Sequence, residues 1–382
     1  MKKIMFFIRA FPSGGAEKLL LDIIKRMDKS KYDITVYSRG KYGELADEFE
    51  KYAKCKLCFS HLTPGTNYKK KLYNYLIIHV SEALLNVFPK FYYRNAIKEK
   101  FDVEIAFKND ESTKIIASSS NRKSKKLQWI HTDIARHEGW RLYFKSQKER
   151  KRYLKKYDKI IGVSDLVKNS VDQVFQNELS TCTVYNLVDR DEIIEKSKEQ
   201  VCMDLVNSEW PIMISVGRVE FEKRFDILIK IHKRLIDEGI FHYLIIVGEG
   251  REKKNLQLMS KELGVEDTVR FVGYQENPYK YIQISDFSVC TSLYEGFHLA
   301  SAESLVLGKP VVSCCPVVGE LMGDEACGIL CGYSENEIYQ SIRKILTETE
   351  TLKKMKLAAL KRSMFFDGMR VIREIEKVID EL

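Results

Sequence analysis

The chain has 382 residues, of which 45% are hydrophobic, and it carries a formal net charge of +9. This length suits two domains of ordinary size, and the apolar fraction excludes a disordered chain. Nine cysteines without regular spacing favour a reducing, cytoplasmic compartment over a disulfide-bonded secreted protein, and their spacing predicts no metal site. No apolar run reaches the 18 residues that a membrane-spanning helix needs.

The two halves of the chain differ in charge. Residues 1–190 hold 38 Lys and Arg against 22 Asp and Glu, and the remaining 25 and 32 lie in residues 191–382. A basic half of this kind favours an anionic partner, such as a membrane surface, a nucleic acid or a phosphorylated substrate.

Strand-like runs alternate with helical runs along the chain, which predicts parallel α/β structure. The charged residues 189–209 contain few strand formers and are predicted to be a linker. We therefore predict two Rossmann-like domains, residues 1–190 and 191–365, facing each other across a cleft at the carboxyl ends of their strands. The strand candidates, in chain order, are KIMFFIRA, YDITVYS, FDVEIAF, LQWIH, KIIGVS, CTVYN, IMISVGR, YLIIVGEG, VRFVGY, DFSVCTS and PVVSCC.

The first candidate site follows the first strand, in FPSGGAEKLLL. Gly14 and Gly15 allow close backbone approach, and the helix that follows offers free N–H groups to an anion. The alternative is an ordinary glycine-rich turn. The pattern is neither GxGxxG nor a P-loop, which disfavours a P-loop nucleotidase.

The second candidate is His131, which follows the strand LQWI. A histidine at a strand end can exchange a proton near neutral pH. The alternative is a structural, hydrogen-bonded histidine.

The third candidate is the pair Arg218 and Lys223, which follows the first strand of the second domain. Two cations at this position can clamp a diphosphate. The alternative is a surface pair, because Glu220 and Glu222 lie in the same loop.

The fourth candidate is the stretch YEGFHLASAE at 294–303, which follows the strand DFSVCTS. A helix is predicted to begin near His298, so that N–H groups near Leu299 can bind a phosphate. Glu303 can then accept hydrogen bonds from a ribose diol, and Glu295 can contact a sugar. The alternative is that both acids only favour a helix N-terminal region.

Several motifs together carry a resemblance that no one of them carries alone. The chain resembles the GT-B-fold retaining glycosyltransferases of family 4 (glycosyltransferase group 1) over nearly its whole length, most densely at 215–329. This resemblance implies that the C-terminal helix, 366–382, packs back on the first domain. The motifs are GGAEK at 14–18, WIHTD at 129–133, VYNLVD at 184–189, SVGRVEFEKRFDILI at 215–229, VGEG at 247–250, FVGY at 271–274 and YEGFHLASAESLVLGKPVVS at 294–313.

The resemblance also implies roles for the matching residues. Arg218 and Lys223 would neutralise the donor diphosphate as it leaves, without a metal ion or other cofactor. His131 would lie near the sugar and the acceptor, and Tyr274 against the nucleotide base. His298 departs from the family pattern, because relatives usually carry glycine or proline there. The donor-binding set is Gly14, Gly15, Arg218, Lys223, Tyr274, Phe297, His298, Leu299 and Glu303, and the catalytic set is His131, Glu295, Arg218 and Lys223.

The implied reaction is a hexosyl transfer from a nucleotide-diphosphate sugar, with UDP the commonest carrier in the family, and with retention at the anomeric carbon. The implied acceptor is a polyprenyl-diphosphate-linked saccharide in capsule or O-antigen-like polysaccharide biosynthesis. The stretch KNDESTKIIAS at 108–118 also resembles enzymes that build bacterial surface polysaccharide.

Two basic segments of the first half, 73–94 and 140–156, interleave aromatic and cationic residues. Both are predicted to rest on an anionic bilayer, which would place the enzyme on the inner face of the cell membrane. The alternatives are a core helix for the first segment and a solvated, charged helix face for the second.

Two other functions remain open from the residues. One is a nucleic-acid-modifying glucosyltransferase, which is disfavoured because the second half is acidic and no nucleic-acid-binding module occurs. The other is a further GT-B enzyme, such as a sugar-nucleotide epimerase.

Overall fold

A computed structural model describes residues 1–12, 14–40, 43–58, 80, 83–201 and 209–382. The chain divides into two compact units. Unit 1 comprises Met1–Leu187 with Met369–Leu382, and unit 2 comprises Val188–Gly368. Within the described residues, no helix is long and apolar enough to cross a membrane.

Unit 1 is built on a parallel sheet of seven strands in the order β3-β2-β1-β4-β5-β6-β7. The interior strand β1 reads as a nearly continuous apolar run because helices and loops bury both of its faces. The edge strand β3 was not predicted, because its sequence, KCKL, alternates with lysine and is only partly buried. The strands are β1 Lys2–Ile8, β2 Tyr32–Ser38, β3 Lys54–Leu57, β4 Val103–Ala106, β5 Lys125–Ile130, β6 Lys159–Gly162 and β7 Thr181–Thr183.

Unit 2 is built on a parallel sheet of six strands in the order β10-β9-β8-β11-β12-β13. Alternate residues of its strands enter two separate cores, one on each face: Met213 packs on one side and Ile212 on the other. The strands are β8 Ile212–Val216, β9 Tyr243–Val247, β10 Val269–Gly273, β11 Phe287–Cys290, β12 Val311–Ser313 and β13 Gly328–Leu330.

Helices connect the strands of both sheets. The segment predicted as a linker instead begins with a helix, α7, and Asp189 caps it by accepting a hydrogen bond from the backbone N–H of Glu192 at 2.9 Å. The helices are α1 Gly15–Arg26, α2 Ala46–Glu50, α3 Pro89–Ala96, α4 Glu111–Ile116, α5 Gln147–Leu154, α6 Asp165–Phe175, α7 Arg190–Ser197, α8 Phe225–Asp237, α9 Lys253–Glu262, α10 Tyr279–Ile284, α11 Leu299–Val306, α12 Val317–Met322, α13 Glu335–Thr347, α14 Thr349–Ser363 and α15 Gly368–Asp380.

The C-terminal helix α15 packs within unit 1, although it follows unit 2 in the chain. Lys2 Nζ donates a hydrogen bond to the carbonyl of Ile379 at 2.9 Å, and the Tyr32 hydroxyl donates to Asp380 at 2.9 Å. The last helix is therefore held against the amino-terminal ends of strands β1 and β2.

The two basic segments differ in what they expose. Residues 73–79 and 81–82 of the first segment lie outside the described residues, and the part that follows exposes apolar side chains, described below. In the second segment, Trp140, Phe144 and Tyr153 are buried. The buried Arg150 guanidinium lies 5.9 Å from the ring of Trp140. The aromatic side chains of 140–156 thus pack inside unit 1 beneath an exposed lysine face, which agrees with the alternative of a charged helix face.

Candidate functional site

The strand order of unit 2 reverses between β8 and β11, and in open α/β sheets ligands bind in the crevice at such a point. The loop after β8 carries Arg218 and Lys223, and the loop after β11 carries Glu295. Hydrogen bonds to the backbone join these loops: Leu293 N donates to the carbonyl of Glu222 at 2.9 Å, and Thr291 Oγ1 donates to that of Lys223 at 2.6 Å. The topology therefore brings the third and fourth candidate sites together.

Local backbone geometry fixes the loop after β8. Gly248 has φ of +144°, and a Cβ there would lie 1.9 Å from the carbonyl oxygen of Gly217, so only glycine allows this close approach. Arg224 also has a positive φ, 56°, and its guanidinium donates two hydrogen bonds to the carbonyl of Tyr333, at 3.2 and 3.1 Å. These contacts hold the turn that presents Lys223.

The centre of the site is an ion pair between Lys223 and Glu295, in which Lys223 Nζ donates to Glu295 Oε1. The two side chains are only 13% and 16% exposed. His298 Nε2 lies 3.9 Å from the same carboxylate oxygen. His298 also caps helix α11, because its Nδ1 accepts a hydrogen bond from the backbone N–H of Ser301 at 3.2 Å.

The surrounding charges keep Glu295 ionised. Burial alone would raise the pKa of Glu295, but the positive charges of Lys223 and His298 bring this pKa below its ordinary value. Burial lowers the pKa of His298, and the neighbouring Cys290 thiol and Glu295 carboxylate more than offset this effect and raise it. The site thus combines one carboxylate with two groups that can carry positive charge.

The other predicted residues of unit 2 lie at different distances from this centre. Arg218 is 75% exposed and pairs with Glu222 at 3.3 Å, at the solvent side of the same loop. Phe297 is buried, and Leu299 is the first residue of α11. Glu303 lies one turn further along that helix and is partly buried. Tyr274 is 53% exposed and follows the edge strand β10, two strands away from β8.

Unit 1 holds the other candidates, at the carboxyl ends of β1 and β5. Gly14 caps helix α1 and Gly15 begins it. A Cβ at Gly15 would meet no atom within 4 Å, so packing does not explain that glycine. His131 Nε2 donates to the carbonyl of Phe107 at 2.7 Å, which leaves Nδ1 as an acceptor. Burial lowers the pKa of His131 to about 4, so the ring is neutral near pH 7.

A charged network near these residues was not predicted. Arg39 donates to Glu111, and both are buried, while Arg9 Nε lies 3.8 Å from the other oxygen of Glu111. Lys108 donates to the buried Glu17 at 2.8 Å. The signal in the sequence was position, because Arg9 and Arg39 directly follow strands β1 and β2, and Lys108 lies two residues after β4.

The buried thiol of Cys290, beside His298, was also not predicted, and nothing in the sequence pattern points to it. Eight cysteines are described and all are free thiols. In the part of the chain that the structure describes, no group of three or more His, Cys, Asp or Glu is arranged to hold a metal ion.

Comparisons with known proteins agree on the fold. Residues 203–362 match the family described as glycosyl transferases group 1. The protein resembles N-acetylgalactosamine-N,N'-diacetylbacillosaminyl-diphospho-undecaprenol 4-alpha-N-acetylgalactosaminyltransferase of Campylobacter jejuni, with 31% identity over 222 residues. That match covers 57% of this chain and spans 57% of the length of the Campylobacter enzyme.

Two other similarities extend over the whole chain. An "Uncharacterized glycosyltransferase" of Haemophilus influenzae is 25% identical over 399 residues, which cover 100% of this chain and 99% of that protein. The crystal structure of Anabaena HepE in complex with UDP aligns over 100% of both chains, with a TM-score of 0.75 and 19% identity. The predicted GT-B fold is confirmed, and the match of residues 203–362 to the group 1 family supports a glycosyltransferase.

Proposed function

We propose that this protein is a retaining, metal-independent glycosyltransferase that transfers a hexose-type sugar from a UDP-sugar to a hydroxyl of a lipid-linked saccharide. The product would belong to a cell-surface polysaccharide of the capsule or O-antigen type. The observation that carries the proposal is the meeting of Lys223, Glu295 and the N-terminus of α11 at the switch point of unit 2. This site offers cationic, anionic and backbone N–H groups to a sugar diphosphate.

In this proposal the diphosphate binds between Lys223, Arg218 and the first N–H groups of α11. These groups stabilise the negative charge that grows on the leaving diphosphate as the glycosidic bond breaks. Glu295 accepts hydrogen bonds from hydroxyls of the donor sugar, and Glu303 does so from the ribose. Anabaena HepE, whose structure contains UDP, supports the choice of uridine.

We assign the acceptor to unit 1, where His131 offers a neutral ring with Nδ1 as hydrogen-bond acceptor. The name of the Campylobacter relative includes a diphospho-undecaprenol-linked saccharide, which supports a lipid-linked acceptor. The leaving phosphate, rather than His131, would take the proton of the acceptor hydroxyl, because it lies next to the reacting atoms.

The proposed membrane contact is the apolar patch, which we define as Val87, Phe88 and Phe91. These side chains are 65%, 61% and 54% exposed, and Lys90 and Arg94 beside them are exposed too. Exposed aromatic and cationic side chains together favour the interface of an anionic bilayer. We propose that this patch holds the enzyme at the anionic inner face of the cell membrane.

The test is a panel of nucleotide sugars added to the purified protein, followed by thermal shift and by slow donor hydrolysis. We expect one UDP-sugar to raise the melting temperature, since a ligand that binds only the folded state stabilises it. With lipid-linked acceptors, NMR of the product should show the anomeric configuration of the donor, and EDTA should leave the rate unchanged. Conversion of the donor to an epimer without acceptor, or loss of all activity with EDTA, would contradict the proposal.

A further inference from the structure

A histidine occupies the cap of helix α11 in unit 2, and it does two things at once. Its Nδ1 accepts the backbone N–H of Ser301, while its Nε2 points toward the carboxylate of Glu295, 3.9 Å away. A serine, asparagine or aspartate could satisfy the cap alone. The imidazole is long enough to reach a second group, so the cap does not account for the contact with Glu295.

That contact matters because Lys223 has two possible partners. Lys223 pairs with Glu295 inside the protein, and a donor diphosphate in the proposed function would attract the same ammonium. When Lys223 turns to the phosphate, Glu295 loses its nearest cation. A carboxylate that is 84% buried is unstable without a compensating donor or charge.

We propose that His298 is a positioning residue for Glu295, whose Nε2–H holds the carboxylate in place when Lys223 binds the donor diphosphate. The inference rests on the proposed function. The present separation of 3.9 Å is a charge contact rather than a hydrogen bond. A shift of the carboxylate by about 1 Å, as Lys223 leaves, brings it within hydrogen-bond distance.

The cap geometry keeps a proton on Nε2 in both charge states. In the neutral ring, Nδ1 is the acceptor of the Ser301 N–H, so the proton lies on Nε2. In the charged ring, Nδ1 also carries a proton and donates a hydrogen bond to the Ser301 hydroxyl at 2.7 Å, instead of accepting one from the Ser301 N–H. Nε2 therefore carries a proton whether or not His298 is ionised, and it can donate to the Glu295 carboxylate or to the Cys290 sulfur, with which the His298 side chain also forms a hydrogen bond.

The groups that face His298 come from three elements. Cys290 ends strand β11, Glu295 lies in the loop after it, and Lys223 lies in the loop after β8; the charges of all three influence the pKa of His298. Cys315, after β12, is linked electrostatically to Cys290 and Glu295. Glu295 and Cys290 favour the charged imidazole, and Lys223 opposes it. Movement of Lys223 toward a phosphate therefore strengthens the interaction between His298 and Glu295.

The test compares two substitutions that separate the cap from the contact. His298→Asn keeps an oxygen that can accept the Ser301 N–H, but its side chain is too short to reach Glu295. His298→Gln keeps the contact and loses the cap. Its longer side-chain amide can donate to Glu295, but glutamine is a poor N-cap residue. For each we would measure kcat, KM for the donor, the Kd of UDP by calorimetry and the melting temperature.

We expect His298→Asn to lower kcat by at least about tenfold, as expected for a misplaced group at the reacting centre, and to weaken UDP binding, because UDP draws Lys223 away and leaves the buried Glu295 without a donor; the melting temperature of the unliganded protein should stay near wild type. His298→Gln should recover part of kcat despite a lower melting temperature. A purely structural role predicts the reverse order, with Asn the more active variant, and that result would overturn the inference. So would a kcat for His298→Asn within about twofold of wild type.

A spectroscopic measurement adds a readout that does not need turnover. The ¹⁵N shifts of the His298 ring should show a proton on Nε2, and Glu295→Gln should lower the pKa of that ring, because it removes a negative charge. An unchanged ring pKa would contradict the contact. Failure of the wild-type protein to bind any UDP-sugar would instead contradict the proposed function. The NMR measurements would still test the contact between His298 and Glu295, because they need no substrate.

Discussion

Removal of the Lys223 ammonium is the most informative perturbation of the proposed site, because it affects catalysis and stability by different routes. For catalysis, Lys223→Ala removes one group that stabilises the leaving diphosphate, and such losses lower kcat by about 100- to 1,000-fold. For stability, it leaves Glu295, with only 16% of its side chain exposed, without its nearest cation. Breaking a buried pair on one side costs about 3–5 kcal/mol, and the remaining exposure and His298 favour the lower end.

The pH dependence of stability follows from the same pair. The folded-state pKa of Glu295 is below its ordinary value of 4.5, so the pair contributes stability above about pH 4.5 and loses it as pH falls through the folded pKa. In Lys223→Ala, burial is no longer offset by the ammonium, so the pKa of Glu295 rises. The variant should therefore lose most stability near neutral pH and differ least from wild type in acid.

The assay measures kcat with the UDP-sugar found by thermal shift, together with urea unfolding between pH 3 and 8. Lys233→Ala is the matched control, because Lys233 pairs with Asp237 on the exposed face of helix α8. The double variant Lys223→Ala/Glu295→Gln should regain stability, since no uncompensated charge remains, but not activity. A near-normal kcat for Lys223→Ala would refute the diphosphate clamp, and equal stability of the single and double variants would refute the buried-pair argument.

Three further outcomes are expected. Replacing Phe88 and Phe91 by serine should reduce sedimentation with anionic liposomes, and salt should weaken the wild-type binding. The control Leu258→Ser, which changes an exposed leucine on helix α9 of unit 2, should leave sedimentation unchanged. Undiminished liposome binding by the double variant would contradict the proposal that the apolar patch contacts the membrane. His131→Ala should lower transfer by at least about tenfold without changing the Kd of UDP, whereas a changed Kd would move His131 to the donor side. Gly248→Ala should destabilise unit 2 by about 2 kcal/mol or more and weaken UDP binding, because its φ is +144° and the new Cβ would lie 1.9 Å from a backbone oxygen; an unaltered denaturation midpoint would contradict this reasoning.

Much of the fold could be predicted from the sequence, because buried parallel strands read as uninterrupted apolar runs. β1 was predicted to within two residues at each end for this reason. β2 was predicted at the bounds that the structure shows, although Asp33 and Thr35 interrupt its apolar residues. The edge strands β3 and β13 could not be placed, since β3 alternates with lysine and β13 is a short, partly exposed segment that begins with glycine. The short helix at the start of segment 189–209 could not be predicted, because most of its residues are charged or polar and it buries only Ile193 and Ser197.

The positions of the candidate residues at strand ends could be predicted from the sequence, but the contacts between them could not. Strand ends in an α/β sheet are recognisable in sequence, and so Lys223 and Glu295 could be singled out. Their pairing depends on the strand order, which places β8 beside β11 and cannot be read from either segment alone. The same holds for Arg39, which follows β2, and Glu111, which follows β4. These two strands lie on either side of β1, so the sheet brings together two buried charges that are 72 residues apart in the sequence.

The pairing of Lys223 with Glu295 also bears on specificity in the proposed reaction. A nucleoside diphosphate alone offers an anion to Lys223 but nothing to Glu295, so its binding must separate the pair and leave the carboxylate to His298. A sugar diphosphate offers the same anion together with hydroxyl groups that can donate to Glu295. Because an unsatisfied buried carboxylate is costly, part of the preference for the complete donor arises from the acid rather than from the phosphate contacts. After transfer, the released diphosphate lacks those hydroxyls, and the attraction of Glu295 for Lys223 then favours its departure.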